Sequence, residues 1–215
     1  MNSIIADLRQ DYRLQSLDIG DVLPNPIQQF EKWFADVLKA EILEPNAMVL
    51  ATATKSGKPS ARVVLLKDLS PEGFTFFTNY KSRKGGELEK NNYAALCFNW
   101  LELQRQVRIE GKIEKVSEQI ATTYFNTRPY ASRIGALSSP QSEIVPDRKF
   151  LEDAEKHTRE MYPENTTVPK PENWGGYILK PTMIEFWQGR RSRLHDRIVY
   201  RLKNNNTWVL ERLAP

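Results

Sequence analysis

From residue 47 to residue 116 the sequence keeps largely to a period of two, broken into five pieces. AMVLATAT, SARVVLLKDL, FTFFTN, YAALCFNW and QVRIEGKIEKV are rich in β-branched and aromatic residues, and KSGK and SPEG turns separate the first three. Such runs read as strands whose side chains point alternately to opposite faces. In the last, Val107, Ile109 and Ile113 alternate with Arg108, Glu110, Lys112 and Glu114, so one face is wet. Five closely spaced strands predict a mainly β fold with flanking helices (α+β), built as an antiparallel barrel or sandwich.

The flanks follow helical rules. Asn25-Pro26 opens a helix, with Asn25 as N-cap and Pro26 in the first turn, where its missing N–H costs least. Ile27, Phe30, Phe34, Val37 and Leu38 share one face, and this helix is expected to run to about Leu43. Ser117 is placed to cap a second helix, SEQIATTYFNTR, and Asp147 to Met161 reads as a third, charged and weakly amphipathic. After a proline-rich loop at 162–173, GYILKPTMIEFWQ, RIVYRLK and TWVLERL read as closing strands. Residues 1–23 are polar and irregular, a flexible arm or flap with room for a short helix through LRQDYRL. With no repeat and no internal boundary, residues 24–215 are expected to form a single domain.

Several classes of function are excluded. The formal charge is only +4, and acidic and basic residues alternate throughout, so no nucleic-acid partner is expected. Cys97, the one cysteine, sits in the apolar run AALCFNW as a buried thiol, and His157 and His195 stand far apart without a Cys/His cluster, so no metal is expected. No apolar run is long enough to span a bilayer and the N-terminus lacks a signal-peptide core; no membrane association and a cytoplasmic setting are expected. G-x-G-x-x-G, Walker and G-x-S-x-G motifs are missing. A phosphate would have to be held by side chains and a helix end.

Four stretches could hold one. In ARVVLLKD, Arg62 and Lys67 stand five apart, on opposite faces of an unbroken strand. In NYKSRKGGELEK, Ser82 can cap a helix whose first turn carries Arg83 and Lys84, so that backbone N–H groups and two cations converge on an anion. The loop at 128–142, RPYASRIGALSSPQS, carries hydroxyls and arginines, and its prolines with Ile134 and Leu137 point to an ordered path. In FWQGRRSRLHDR, at 186–197, Arg193 and His195 are two apart and face one side if extended. Like charges from Arg193 and Arg197 disfavour the charged histidine, and Trp187 offers a wall for a planar ring. Singly, each stretch also fits a blander account: edge charges, a solvated helix start, a surface loop, a salt-bridged strand end.

Together they resemble the pyridoxine (pyridoxamine) 5′-phosphate oxidase family. RVVLLK (62–67), SRK (82–84), RPYASRIGALSSPQS (128–142), EFWQG (185–189) and RLHDR (193–197) occur in family order and with family-like spacing, and the resemblance covers nearly the whole chain from about Arg9. It implies an FMN-binding split β-barrel acting as a homodimer, with residues of both chains completing each interfacial site. It also implies a reaction: pyridoxine 5′-phosphate or pyridoxamine 5′-phosphate gives a hydride from C4′ to flavin N5 and becomes pyridoxal 5′-phosphate. Molecular oxygen then reoxidises the flavin and leaves as hydrogen peroxide.

Carried over by motif, Arg62, Arg83 and Lys84 would engage the FMN phosphate. Val63, Val64, Leu65, Leu66, Lys67, Phe77, Thr78, Gln106, Gln141, Ser142, Trp187 and Arg197 would line the rest of the cofactor site. Lys67, Tyr124, Arg128 and Ser132 would hold the substrate phosphate. Arg193, Leu194 and His195 would face the substrate ring, Arg193 and His195 as catalytic residues with Arg193 the more direct participant. Arg9 and Tyr12, in RQDY, would close over the substrate as a flap. Two phosphate dianions and an anionic reduced flavin call for fixed positive charge beside a stacking surface, which accounts for clustered cations in a chain of small net charge.

Two positions depart from the family pattern. Leu137 stands where tryptophan is frequent, and Gln104 where glutamate is usual before Arg-Gln-Val. Gly85-Gly86 is expected to weaken the helix after Ser82 by roughly 1 kcal/mol per glycine and to loosen FMN binding. A split-barrel flavin reductase and a non-catalytic flavin or pyridoxal phosphate carrier are the alternatives. RLHDR and the Arg128/Ser132 loop speak against the first and the Arg193/His195 pair against the second.

Overall fold

The computed structural model describes residues 11–215. Among these, nine strands form one sheet: β1 (Ala47–Ala53), β2 (Pro59–Leu65), β3 (Asp68–Ser70), β4 (Gly73–Asn79), β5 (Tyr93–Trp100), β6 (Arg105–Lys115), β7 (Trp174–Gln188), β8 (Asp196–Leu202) and β9 (Trp208–Leu213). Their order is β2-β1-β5-β6-β7-β4-β3, with β8 on β7 and β9 on β8, and the registers are antiparallel: Phe74 faces Leu179 and Asn79 faces Trp174 across β4/β7, while Gln188 faces Asp196 across β7/β8. The helices are α1 (Pro26–Lys39), α2 (Arg83–Lys90), α3 (Glu118–Thr127), α4 (Tyr130–Ser138) and α5 (Arg148–Met161). This is the antiparallel, mainly β fold with flanking helices that the strand pattern predicts.

The local signals work where chemistry is local. Asn25, Ser82, Ser117 and Asp147 each accept backbone N–H groups at the start of α1, α2, α3 and α5. Elsewhere the structure corrects the expectation. Helix α1 ends at Lys39 rather than near Leu43, because Glu41 and Glu44 take left-handed backbone with φ of 51° and 48°. Leu38 is exposed and Trp33 instead joins the buried face. Residues 130–138 form α4 and not a loop. The run 60–69 is two strands, broken at Leu66-Lys67. Residues 11–14, the described part of LRQDYRL, are not helical.

The chain divides into two compact units. The first comprises the chain up to Leu50, Ala95–Gly111 and Pro181–Pro215. Its core is aromatic: Phe30 packs on Phe98 with ring centres 5.0 Å apart, Trp33 meets Phe186 edge-on at 5.1 Å, and Phe186 meets Tyr200 at 5.7 Å. The buried Arg105 guanidinium lies 4.4 Å above the Trp33 ring and pairs with Asp36 at 2.9 Å. The segment before α1 is tied to this unit by buried Leu17 and by the Tyr200 hydroxyl, which donates to the Leu23 carbonyl at 2.6 Å.

The second unit comprises Ala51–Ala94 and Lys112–Lys180. Phe125, Ile134, Val168 and Trp174 form its buried cluster, against which Phe77 and Tyr124 pack. Ile134 is fully buried there, which is why a stretch rich in hydroxyls and small residues closes into a helix.

Candidate active site

In the second unit a cleft of about 870 Å³ opens beside this aromatic cluster. Arg62, Val63, Val64 and Leu65 of β2, Lys67, Phe77 and Thr78 of β4, Lys84 of α2, Tyr124 of α3, Arg128, Ser132 of α4 and Gln141 all line it. The conflict in the spacing of Arg62 and Lys67 is settled by the break after β2. The Lys67 N–H donates to the Thr75 carbonyl at 2.9 Å instead of continuing the strand, and both side chains reach the cleft.

The cations of the cleft differ in how they are balanced. The Arg62 guanidinium donates to the hydroxyls of Thr52 and Ser60, and those hydroxyls donate to the buried carboxylate of Glu87. Glu87 also receives Nε–H of Arg83 at 2.9 Å and lies 3.4 Å from Arg62. Burial alone would raise the Glu87 pKa, but hydrogen bonds from Ser60, Thr52 and Arg83 and the Arg83 charge together bring it down to about 2. Lys84 has polar partners only: Thr78 and Gln141 at 3.2 Å and Ser82 at 3.3 Å. Burial, then the nearby Arg62 charge, lowers its pKa. Arg128 lies 4.8 Å above the Trp174 ring, and among the described residues its buried Nη1 has no hydrogen-bond partner. Burial lowers its pKa too.

The floor is a stack of rings. Phe77 and Tyr124 lie 4.0 Å apart at 21°, and Phe77 and Trp174 lie 5.4 Å apart at 11°. Gly85 has a positional reason to be glycine, since a Cβ there would stand 2.0 Å from the Tyr80 carbonyl oxygen. A Cβ at Gly86 would meet nothing within 4 Å.

Three cofactor-side candidates in this unit lie off the cleft wall. Leu66 is buried, Arg83 is largely exposed and turned to Glu87, and Ser142 is exposed with φ of 77°.

The first unit carries the remaining candidates. Trp187 and His195 have ring centres 4.6 Å apart, and Tyr12 meets them edge-on at 5.8 and 5.7 Å. The backbone N–H of Arg190 donates to His195 Nδ1 at 3.1 Å, so the neutral ring carries its proton on Nε2. The His195 pKa is lowered by burial first and by the Arg193 charge second, against the opposing charge of Asp196. The segment is not extended as expected: Arg191–Arg193 is a short 3-10 turn in which Ser192 and Arg193 take φ of 55° and 61°, leaving Arg193 and Leu194 exposed. Arg197 makes two bonds to the buried carboxylate of Glu185, at 2.8 and 3.1 Å. Gln106 sits half-buried on β6. Arg9 lies outside the described residues.

The sequence reading missed Thr52, Ser60, Glu87, Trp174 and Glu185. Two of them left a signal: Ser60 is two residues from Arg62, hence on the same strand face, and Glu87 is four residues from Arg83, one turn along α2.

An antiparallel sheet of this topology with a cationic cleft at its side defines a class, the split-barrel flavoproteins. Residues 34–162 match the family described as pyridoxamine 5′-phosphate oxidase, and residues 174–215 match the pyridoxine 5′-phosphate oxidase C-terminal dimerisation region. The chain belongs to the pyridoxamine 5′-phosphate oxidase family, a family of oxidoreductases. It is 55% identical over the whole of both chains to the pyridoxine/pyridoxamine 5′-phosphate oxidase of Cyanothece sp. (strain PCC 7425). It is 54% identical to pyridoxine/pyridoxamine 5′-phosphate oxidase 1 of Ralstonia nicotianae, over 98% of this chain and 99% of the other. Among solved structures, PhzG of Burkholderia lata 383 in complex with tetrahydrophenazine-1-carboxylic acid matches with a TM-score of 0.88 at 29% identity, covering 96% of this chain and 100% of that chain. A pyridoxamine 5′-phosphate oxidase-related, FMN-binding protein of Nostoc punctiforme shares the fold, with a TM-score of 0.69 at 16% identity over 86% of this chain and 97% of that one. The family points to a flavin, and the C-terminal match points to a homodimer. Among the described residues no helix is long and apolar enough to cross a membrane.

Proposed function

We propose that this protein oxidises pyridoxine 5′-phosphate or pyridoxamine 5′-phosphate to pyridoxal 5′-phosphate, with FMN as cofactor and oxygen as electron acceptor, as a cytoplasmic homodimer in which both copies contribute to each site. One observation carries this reading. Two half-buried cations without a carboxylate partner among the described residues, Lys84 and Arg128, line the same cleft from different elements. A cofactor phosphate and a substrate phosphate are two anions that need two such places.

The donor set fits FMN. Arg62 and Lys84, with the N-terminus of α2 behind Ser82, form a cradle suited to a phosphate monoester, and Arg83 extends it. When bound, FMN would supply a two-electron acceptor for the hydride of the substrate's C4′, with oxygen as the final acceptor and hydrogen peroxide as its product. The chain's own residues do the rest. Arg128, Lys67, Ser132 and Tyr124 hold the substrate phosphate; the planar Arg128 fork is already oriented by Trp174. Val63, Val64, Leu65, Phe77 and Thr78 shape the cofactor wall, with Leu66 buried behind it. Gln106, Gln141, Ser142, Trp187 and Arg197 complete the cofactor side.

His195, whose charged form burial and the Arg193 charge disfavour, offers Nε2–H as a donor to the substrate ring, while Trp187 gives that ring an apolar wall. The left-handed backbone of Ser192 and Arg193 costs roughly 1 kcal/mol or more per residue, a strain that persists where a side chain must be aimed. It supports Arg193 as the direct participant. Tyr12, with Arg9, covers the substrate.

The test is an anaerobic visible spectrum of the FMN-loaded protein before and after pyridoxine 5′-phosphate. Bleaching of the flavin band, with colour returning in air, is expected. A flavin spectrum that substrate leaves unchanged would overturn the oxidase reading in favour of a reductase or a carrier.

A further inference from the structure

Tyr12 owes its position to two residues, Gln104 and Gly189, for which the family resemblance names no role. Gln104 follows a short 3-10 turn in left-handed backbone (φ 53°, ψ 40°), at the start of β6. Its side-chain Oε1 accepts the backbone N–H of Arg13 at 3.0 Å and of Leu14 at 3.3 Å, the two residues after Tyr12. Its backbone carbonyl accepts the Gly189 N–H at 2.8 Å and Gln188 Nε2–H at 3.1 Å, just beyond Trp187. One residue thus holds both the strand end that carries Trp187 and the segment that carries Tyr12.

Gly189 completes the seat by having no side chain. A Cβ there would stand 2.8 Å from Cγ and 2.9 Å from Cβ of Tyr12, and 3.1 Å from Cβ of Gln104. Its backbone is outside the left-handed region, so alanine is excluded by the Tyr12 ring and not by φ. The adjacent Arg105 adds a bond to Gln15 from the same strand end.

We infer that Gln104 and Gly189 are positioning residues that seat Tyr12 against Trp187 and His195, and so set the affinity for substrate without touching it. The inference rests on the oxidase reading of Tyr12 and His195. It also explains why glutamine serves at a position where the family usually has glutamate. The contacts use only a side-chain oxygen acceptor, which both residues supply.

The experiment compares Gln104→Met, Gln104→Glu and Gly189→Ala with the parent, all FMN-loaded. Two readouts are taken: the rate at which trypsin cuts after Arg13, followed by mass spectrometry, and KM and kcat for pyridoxine 5′-phosphate. In Gln104→Met and Gly189→Ala, cleavage is expected to speed up and KM to rise about 5- to 30-fold, the loss of one or two hydrogen bonds, with kcat changed less. Gln104→Glu is expected to behave as the parent. Parent-like cleavage in Gln104→Met would refute the clasp. Faster cleavage with unchanged KM would refute its role in seating Tyr12. Failure of the oxidase reading would look different, as a parent protein without turnover, while the cleavage rates would still judge the clasp.

Discussion

Gly85 and Gly86 adjoin in the same helix, yet alanine should have opposite effects at the two. Each substitution gains about 1 kcal/mol from helix propensity and a less flexible unfolded chain. At Gly86 a Cβ meets nothing within 4 Å, so that gain should stand alone. At Gly85 the Cβ would lie 2.0 Å from the Tyr80 carbonyl oxygen, 2.5 Å from its carbon and 2.9 Å from Tyr80 Cα. These are backbone atoms, so the helix start must move by about an ångström, and such overpacking costs roughly 1–3 kcal/mol. Gly85→Ala should therefore be neutral to about 2 kcal/mol destabilised, leaving it about 1–3 kcal/mol below Gly86→Ala. In a chain of this size that separates the melting points by roughly 2–12 °C. Because Ser82 and Lys84 lie in the displaced turn, Gly85→Ala should also weaken FMN binding, while Gly86→Ala should not. The assay is urea unfolding of the flavin-free protein at one fixed protein concentration, paired with a flavin fluorescence titration. Gly85→Ala as stable as Gly86→Ala, or both binding FMN alike, would refute the steric argument.

Other changes probe the charges of the cleft. The Glu87 pKa is depressed, so its contribution is complete above its ordinary value near 4.5 and is lost as pH falls towards about 2; the urea midpoint of the parent should fall across that window more steeply than that of Glu87→Gln. Arg128→Met keeps the packing on Trp174 but removes the charge, and should raise KM for pyridoxine 5′-phosphate roughly 10- to 100-fold with the flavin spectrum intact, the value of a charge-assisted hydrogen bond. Arg193→Ala should lower kcat strongly with FMN retained; unchanged turnover would remove Arg193 from the chemistry.

Much of the fold was legible because its signals are local. A cap such as Ser117 needs only the N–H three residues ahead, and the alternation of Val107, Ile109 and Ile113 needs only its own strand. What was illegible depends on partners distant in sequence. Helix α4 has one buried anchor, Ile134, whose neighbours Val168 and Trp174 arrive 34 and 40 residues later, too little period to read in advance. The break that turns Lys67 into the cleft is made by the Thr75 carbonyl on β4.

The site shows the same division. Family motifs name the cations, but they do not say which are already balanced. Arg62 and Arg83 lean on Glu87, and Arg197 on Glu185. Among the described residues Lys84 and Arg128 have no such partner, and burial disfavours the charged form of each. An arriving phosphate gains most at those two places, because it there relieves a desolvated charge instead of competing with a carboxylate. The balanced arginines serve a different purpose, keeping their guanidinium groups oriented. Substituting Lys84 or Arg128 should thus weaken anion binding directly, whereas substituting Glu87 should weaken it through misaligned arginines even though a negative charge has been removed.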